Sequence, residues 1–209
     1  MIEKKRETAE TAASFLPSTL DLPALRKAAE CCRGCHLYQH ATQTVFGEGA
    51  ANARVLLVGE QPGDREDVEG HPFVGPAGKV LDQSLELAGI DRRQVYITNV
   101  VKHFKFAERG KRRVHQKPTS REIAACRPWL EAELSAIHPE MLICLGATAA
   151  QAIFGKAFRI TKQRGEVFET DWCARTMATW HPSAVLRMPD QARRQEMQDQ
   201  LIRDLANAA

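Results

Sequence analysis

No run of apolar residues in this 209-residue chain approaches the ~18–20 needed to span a bilayer. The start, MIEKKRETAE, is charged and leads into no apolar core, so a signal peptide is not expected. These absences predict a cytoplasmic protein with no membrane contact. Internal repeats and low-complexity segments are missing too. With a net charge of only +3 the protein is no polycation. What remains is ordinary for a folded enzyme-sized unit: 44% of the residues are hydrophobic and 26% charged. The length suits one domain, expected over residues 20–209. Residues 1–19, polar and unpatterned, are expected to form a flexible tail. Nothing calls for an oligomer, so a monomer is expected.

Short apolar runs alternate with helical spacing. ARVLLVG (53–59), QVYITNVV (94–101) and MLICLG (141–146) read as buried strands. GEVFET (165–170) and TMATWHPS (176–183) read as later ones, the second running into a loop. Helices are expected over 20–32, 79–90, 120–137, a short stretch from 147, and 190–208. Ser120 is the expected N-cap of the third, and Pro128 argues against a smooth helix there. Residues 60–78, rich in Gly and Pro, read as a loop. The pattern is α/β with a mainly parallel central sheet. In such sheets, sites form beyond the C-terminal strand ends. That rule gathers Glu60-Gln61-Pro62-Gly63-Asp64, Asn99 and His181-Pro182-Ser183 on one rim.

Charge is unevenly placed. Residues 102–117 hold seven basic residues against the single acid Glu108, a net +6. Such a patch either contacts phosphates or is a solvated loop. His115 stands at the end of its core, RGKRRVH, either as one more phosphate contact or as a nucleophile. Six cysteines in a cytoplasmic protein read as thiols or metal ligands rather than disulfides. CCRGC offers Cys32-x2-Cys35, and Cys126 is a candidate third ligand. Cys31 and His103 compete for the fourth place, and the spacing does not choose between zinc and an iron–sulfur cluster. Cys144, mid-strand, reads as a buried small hydrophobe, and Cys173 as a residue of a hairpin turn.

GEQPGDREDVEGHPFVGPAG, TNVVKH and HPSAVLR resemble, in order and spacing, three motif regions of the uracil-DNA glycosylase superfamily, across roughly residues 30–190. With the cysteines they look like the iron–sulfur branch called family 4. Gln61, where that branch commonly has alanine, and the RGKRRVH insertion are similar to the X-type enzymes (UdgX), which become covalently trapped on uracil-containing DNA. The resemblance implies a three-layer α/β sandwich around a four-stranded, mainly parallel sheet. It also implies a [4Fe–4S] cluster on Cys32, Cys35, His103 and Cys126, with His103 a departure from the all-cysteine pattern.

The resemblance implies roles as well. Phe73 would stack on uracil, and Asn99 would read its O4 and N3–H. Gln61 and Asp64 would line the base site, Asp64 through its backbone. His181 would hydrogen-bond O2 as negative charge develops. His115 would attack C1′, with Glu60 orienting it and taking its proton. Lys111, Arg112, Arg113 and Lys117 would grip the DNA backbone, joined by Ser183 and Arg187. The expected partner is uracil-containing DNA, single- or double-stranded. Two other readings stay open: a turnover glycosylase using activated water, and a non-catalytic, cluster-bearing nucleic-acid-binding module.

Overall fold

The computed structural model describes residues 11–208. In chain order its strands are β1 Glu48–Gly49, β2 Val55–Gly59, β3 Val95–Asn99, β4 Phe106–Arg109, β5 Arg112–His115, β6 Met141–Leu145, β7 Val167–Thr170 and β8 Cys173–Thr179. Six of them form one sheet in the order β1-β3-β2-β6-β8-β7. The inner four, β3-β2-β6-β8, are parallel, and β1 and β7 add antiparallel edges. The four-stranded sheet of expectation is therefore the centre of a six-stranded mixed one. A two-residue strand such as β1 carries no readable periodicity.

Every residue of β2, β3 and β6 is buried, as expected of parallel strands covered on both faces. Their alternation divides the core in two. Leu57, Ile97 and Ile143 face Leu81 and Leu85 of α3 (Pro76–Leu87) and Leu201 and Leu205 of α8 (Gln191–Ala206). Leu56, Val58 and Leu142 face Leu25 of α1 (Leu22–Ala29), Trp129 and Leu130 of α4 (Ser120–Ile137) and Ala149 of α5 (Ala147–Phe154). The result is three layers.

Local expectations change at several points. The stretch 60–78 contains a helix, α2 (Asp64–Glu69), closed by Gly70 at φ 81°. The N-cap of α4 is Thr119 rather than Ser120. Its hydroxyl accepts from Glu122 N–H at 3.3 Å while the Glu122 carboxylate accepts from Thr119 N–H at 2.5 Å, a capping box. The same helix runs through Pro128. Proline in a helix interior costs about 3 kcal/mol, and burial of Cys126, Trp129, Leu130 and Leu134 on this face offsets it. The basic stretch is a β-hairpin, β4–β5, with Phe106 opposite His115. Of the expected tail, residues 1–10 lie outside the described residues, while Ala12–Phe15 make a 3₁₀ turn whose Ala12 is buried in the core.

Among the described residues no helix is long and apolar enough to cross a membrane.

Candidate active site

A cavity of about 450 Å³ opens at the C-terminal ends of β2, β3, β6 and β8. Glu60, the first residue past β2, lines it, and so does His115 at the end of the hairpin. The two side chains meet: His115 Nε2 lies 3.2 Å from Glu60 Oε1, with His115 49% and Glu60 19% exposed. Burial works to raise the Glu60 pKa. The His115 ring, the Thr148 hydroxyl and the nearby imidazoles outweigh it and hold the carboxyl below its ordinary value. A carboxylate is thus ionised beside an imidazole that solvent, or a substrate, can reach.

Asn99 ends β3 in register with Gly59. Any side chain on Gly59 would collide with Asn99 Oδ1 and the Phe73 ring, so glycine lets both enter the cavity. Asn99 is buried, and its Oδ1 is a buried side-chain polar atom without a hydrogen-bond partner among the described residues. Such an acceptor suits a ligand N–H. Phe73 holds a left-handed backbone conformation, φ 57°, that presents its ring with the His181 ring stacked 5.8 Å away.

His181 Nδ1 accepts from Ser183 N–H at 3.1 Å, with the Ser183 hydroxyl at 2.8 Å. Nδ1 therefore carries no proton in the neutral ring, and the proton sits on Nε2. Burial, helped by Arg187 and His115 and opposed by Glu60, pushes the His181 pKa down to about 4. At neutral pH His181 is an uncharged N–H donor, suited to an oxygen on which charge develops.

Several residues of the expected site have partners within the protein. Gln61 lines the cavity, but its carboxamide ties the base of the hairpin, donating to the carbonyls of Lys105 (3.1 Å) and Gln116 (3.2 Å) and accepting from Lys105 N–H (3.2 Å). The Asp64 carboxylate is turned to Arg113 Nε at 2.6 Å, and it is Gly63 that lines the cavity. Arg113 is fully engaged: it also pairs with Asp67, donates to Thr42 and stacks over Phe104 and Phe106. It ties the hairpin to α2 through Asp64 and Asp67. Lys111, Arg112 and Lys117 are exposed, and Arg187 stands exposed at the cavity mouth. Ser183 lines the cavity as well as supporting His181.

Lys102, counted in the basic patch, is fully buried and paired with Glu133, and Lys105 is paired with Glu122. The surface charge is correspondingly smaller than +6. Among the lining residues that the sequence did not point to are Glu66, Thr148, Ile160 and Trp180. For Thr148 the signal was available, since it sits three residues past the end of β6, on the rim that strand ends define.

The cysteines lie away from this cavity. Cys32 and Cys126 are buried, Cys35 is partly so, and Cys31 is exposed. Trp129 Nε1–H points at Cys32 Sγ (3.2 Å) and Lys102 N–H at Cys126 Sγ (3.3 Å). Burial pushes the Cys126 thiol up to about 12. Such a thiol ionises when a cation is bound, and the two N–H groups are placed to stabilise the resulting sulfur charge, so this donor set fits a metal cluster. His103 is held near neutrality of charge by burial, its pKa lowered to about 4, and its Nε2 meets the Thr44 hydroxyl at 2.9 Å. Among the described residues no three His, Cys, Asp or Glu side chains stand in a ready metal-binding arrangement. Cys144 is buried in β6, as expected, and Cys173 opens β8 beside the β7–β8 turn.

The four parallel strands thus end at a cavity walled by a carboxylate, two histidines, an asparagine and a phenylalanine. The family model for the Uracil DNA glycosylase superfamily matches residues 46–206. The chain is 36% identical over 193 residues to the type-4 uracil-DNA glycosylase of Sulfurisphaera tokodaii, covering 88% of this chain and 84% of that protein. It is 41% identical over 159 residues to the type-4 enzyme of Thermotoga maritima, covering 75% and 78%. Similarity to a type-5 uracil-DNA glycosylase, from Pyrobaculum aerophilum, is 32% over 155 residues, with 65% and 63% covered. The chain belongs to the uracil-DNA glycosylase superfamily.

Proposed function

We propose that this protein excises uracil from DNA and then holds the abasic sugar covalently through His115. The 3.2 Å contact between His115 and Glu60, at the mouth of the cavity that Asn99 and His181 line, carries this reading. Uracil enters flipped or from a single strand. Phe73 stacks on it, and Asn99 Oδ1 accepts its N3–H while the carboxamide N–H donates to O4. As the glycosidic bond breaks, the electron pair goes to the base, and the His181 Nε2–H stabilises the charge at O2. The neutral His115 ring adds to the electrophilic C1′, and the ring proton passes to Glu60. An N-alkylated imidazole is a poor leaving group, so turnover stops after one event. Lys111, Arg112 and Lys117 on the hairpin, and Arg187 on the opposite rim, hold phosphates.

Cys32, Cys35, Cys126 and His103 would hold a [4Fe–4S] cluster. Such a cluster supplies a structural tie between the N-terminal segment, α4 and the chain following β3.

A second reading has an observation in its favour. Glu60 is partly exposed and ionised, so it can also orient a water, and the type-4 and type-5 relatives are named as uracil-DNA glycosylases. An oligonucleotide with one uracil, incubated with the protein and boiled in SDS, separates the two. A heat-stable, uracil-dependent shifted band that disappears in His115→Ala supports capture. An alkali-labile abasic site without a band supports hydrolysis. Neither product would leave a binding module.

A further inference from the structure

The turn between β6 and α5 brings one more polar group to the carboxylate. Val58 of β2 pairs with Cys144 of β6, so Glu60 and Gly146, each two residues further on, stand level at the rim. Gly146 turns the chain at φ 90°, and the His181 Cβ occupies the space its own side chain would need. The turn is thus wedged between Glu60 and His181. Helix α5 starts immediately after it, and Thr148, in the first turn and buried, lines the same cavity as Glu60. The Glu60 carboxylate meets His115 through Oε1, and the Thr148 side chain stands in the wall of the same cavity.

We propose that Thr148 is a positioning residue, whose hydroxyl donates to the Glu60 carboxylate and fixes it in the orientation that faces His115. This rests on the function proposed above. A hydroxyl contact added to that of His115 would restrict the carboxylate's terminal torsion, which is otherwise broad. A hydrogen bond to a charged acceptor is among the stronger ones a protein makes. The lowered pKa of Glu60 has the same origin in part, and the N-terminal end of α5 adds a favourable partial charge.

The test compares Thr148→Val, which keeps shape and loses the hydroxyl, with Thr148→Ser, which keeps the hydroxyl. In the intact protein, carbon-13 NMR follows titration of the Glu60 carboxyl, assigned with Glu60→Gln. Single-turnover uracil release and affinity for a non-cleavable uracil analogue in DNA are measured alongside. The Glu60 midpoint should move up in Thr148→Val and return in Thr148→Ser. Uracil release at pH 5 should fall about tenfold in the valine variant, the scale of one charge-assisted bond, with analogue affinity unchanged. An unmoved midpoint in Thr148→Val, or a serine variant that behaves like valine, overturns the proposal. If the wild type itself releases no uracil, the glycosylase reading falls, and the catalytic role of Thr148 falls with it even where the midpoint moves.

Discussion

Two carboxylates of this protein are each paired with a nitrogen base, Glu133 with Lys102 and Glu60 with His115. Glu133 and Lys102 are both 0% exposed and saturated. Glu133 takes Tyr96, Thr98, Gly47 N–H and Lys102; Lys102 donates to Glu133, Thr98 and the Asn99 carbonyl. Glu60 and His115 are instead partly open, with capacity left for a reacting group. A charge buried with all its partners holds backbone in place, here the segment carrying Asn99. A charge left near solvent with an unfilled side can act on something that arrives. The difference lies in what surrounds the pair, since the residue types are equally polar.

The largest expected effect lies at the saturated pair. Lys102→Ala leaves Glu133 buried and uncompensated, which costs about 3–5 kcal/mol. Replacing both members together, Lys102→Met with Glu133→Leu, should recover much of that loss, and urea melts of the wild type and the two variants check it. A double variant as unstable as the single would break the contrast.

At the open pair the prediction inverts, with activity changing and stability nearly untouched. Glu60→Gln should slow uracil release about 10²–10⁴-fold, the usual range for a positioned acid or base, while its melting midpoint stays within about 0.5 kcal/mol of wild type. Single-turnover assays and melts on one preparation give both numbers.

A smaller effect separates the groups by pH. The folded-state pKa of His181 is depressed to about 4 from 6.5. Between those values the unfolded chain binds the extra proton and the folded one does not. The His181 contribution is present above pH 6.5 and is lost as pH falls toward 4, by about 1–3 kcal/mol. His181→Gln should flatten the stability profile in that window; an unchanged slope would mean that His181 is not the group titrating.

The smallest effect distinguishes two adjacent arginines. Arg112→Ala should weaken DNA binding modestly and lower the salt slope by about 1. Arg113→Ala should leave that slope alone and loosen the hairpin, since its guanidinium is held by Asp64 and Asp67. Binding titrations at several salt concentrations decide between them.

Much of the architecture was legible from the chain itself. Buried parallel strands are nearly continuous apolar runs, so β2, β3 and β6 could be found, and the rim rule then brought Glu60, Asn99 and His181 together. The hairpin was read as a loop because β4 and β5 are four residues each and dominated by charge. The partners of Gln61 and Arg113 were not legible for another reason: Gln61 answers to Lys105 and Gln116, and Arg113 to Asp64 and Asp67, all distant in sequence.

The sequence by itself determined the fold class, the order of the motifs and the residue types gathered at the strand ends, because periodicity and motif spacing are local properties. Only the tertiary structure decided which charges are free. Lys102 looks the same in sequence as Lys111, yet one is enclosed with Glu133, 31 positions away, and the other faces solvent. A charge is written in one residue, while its desolvation and its partner are supplied by the chain folded around it.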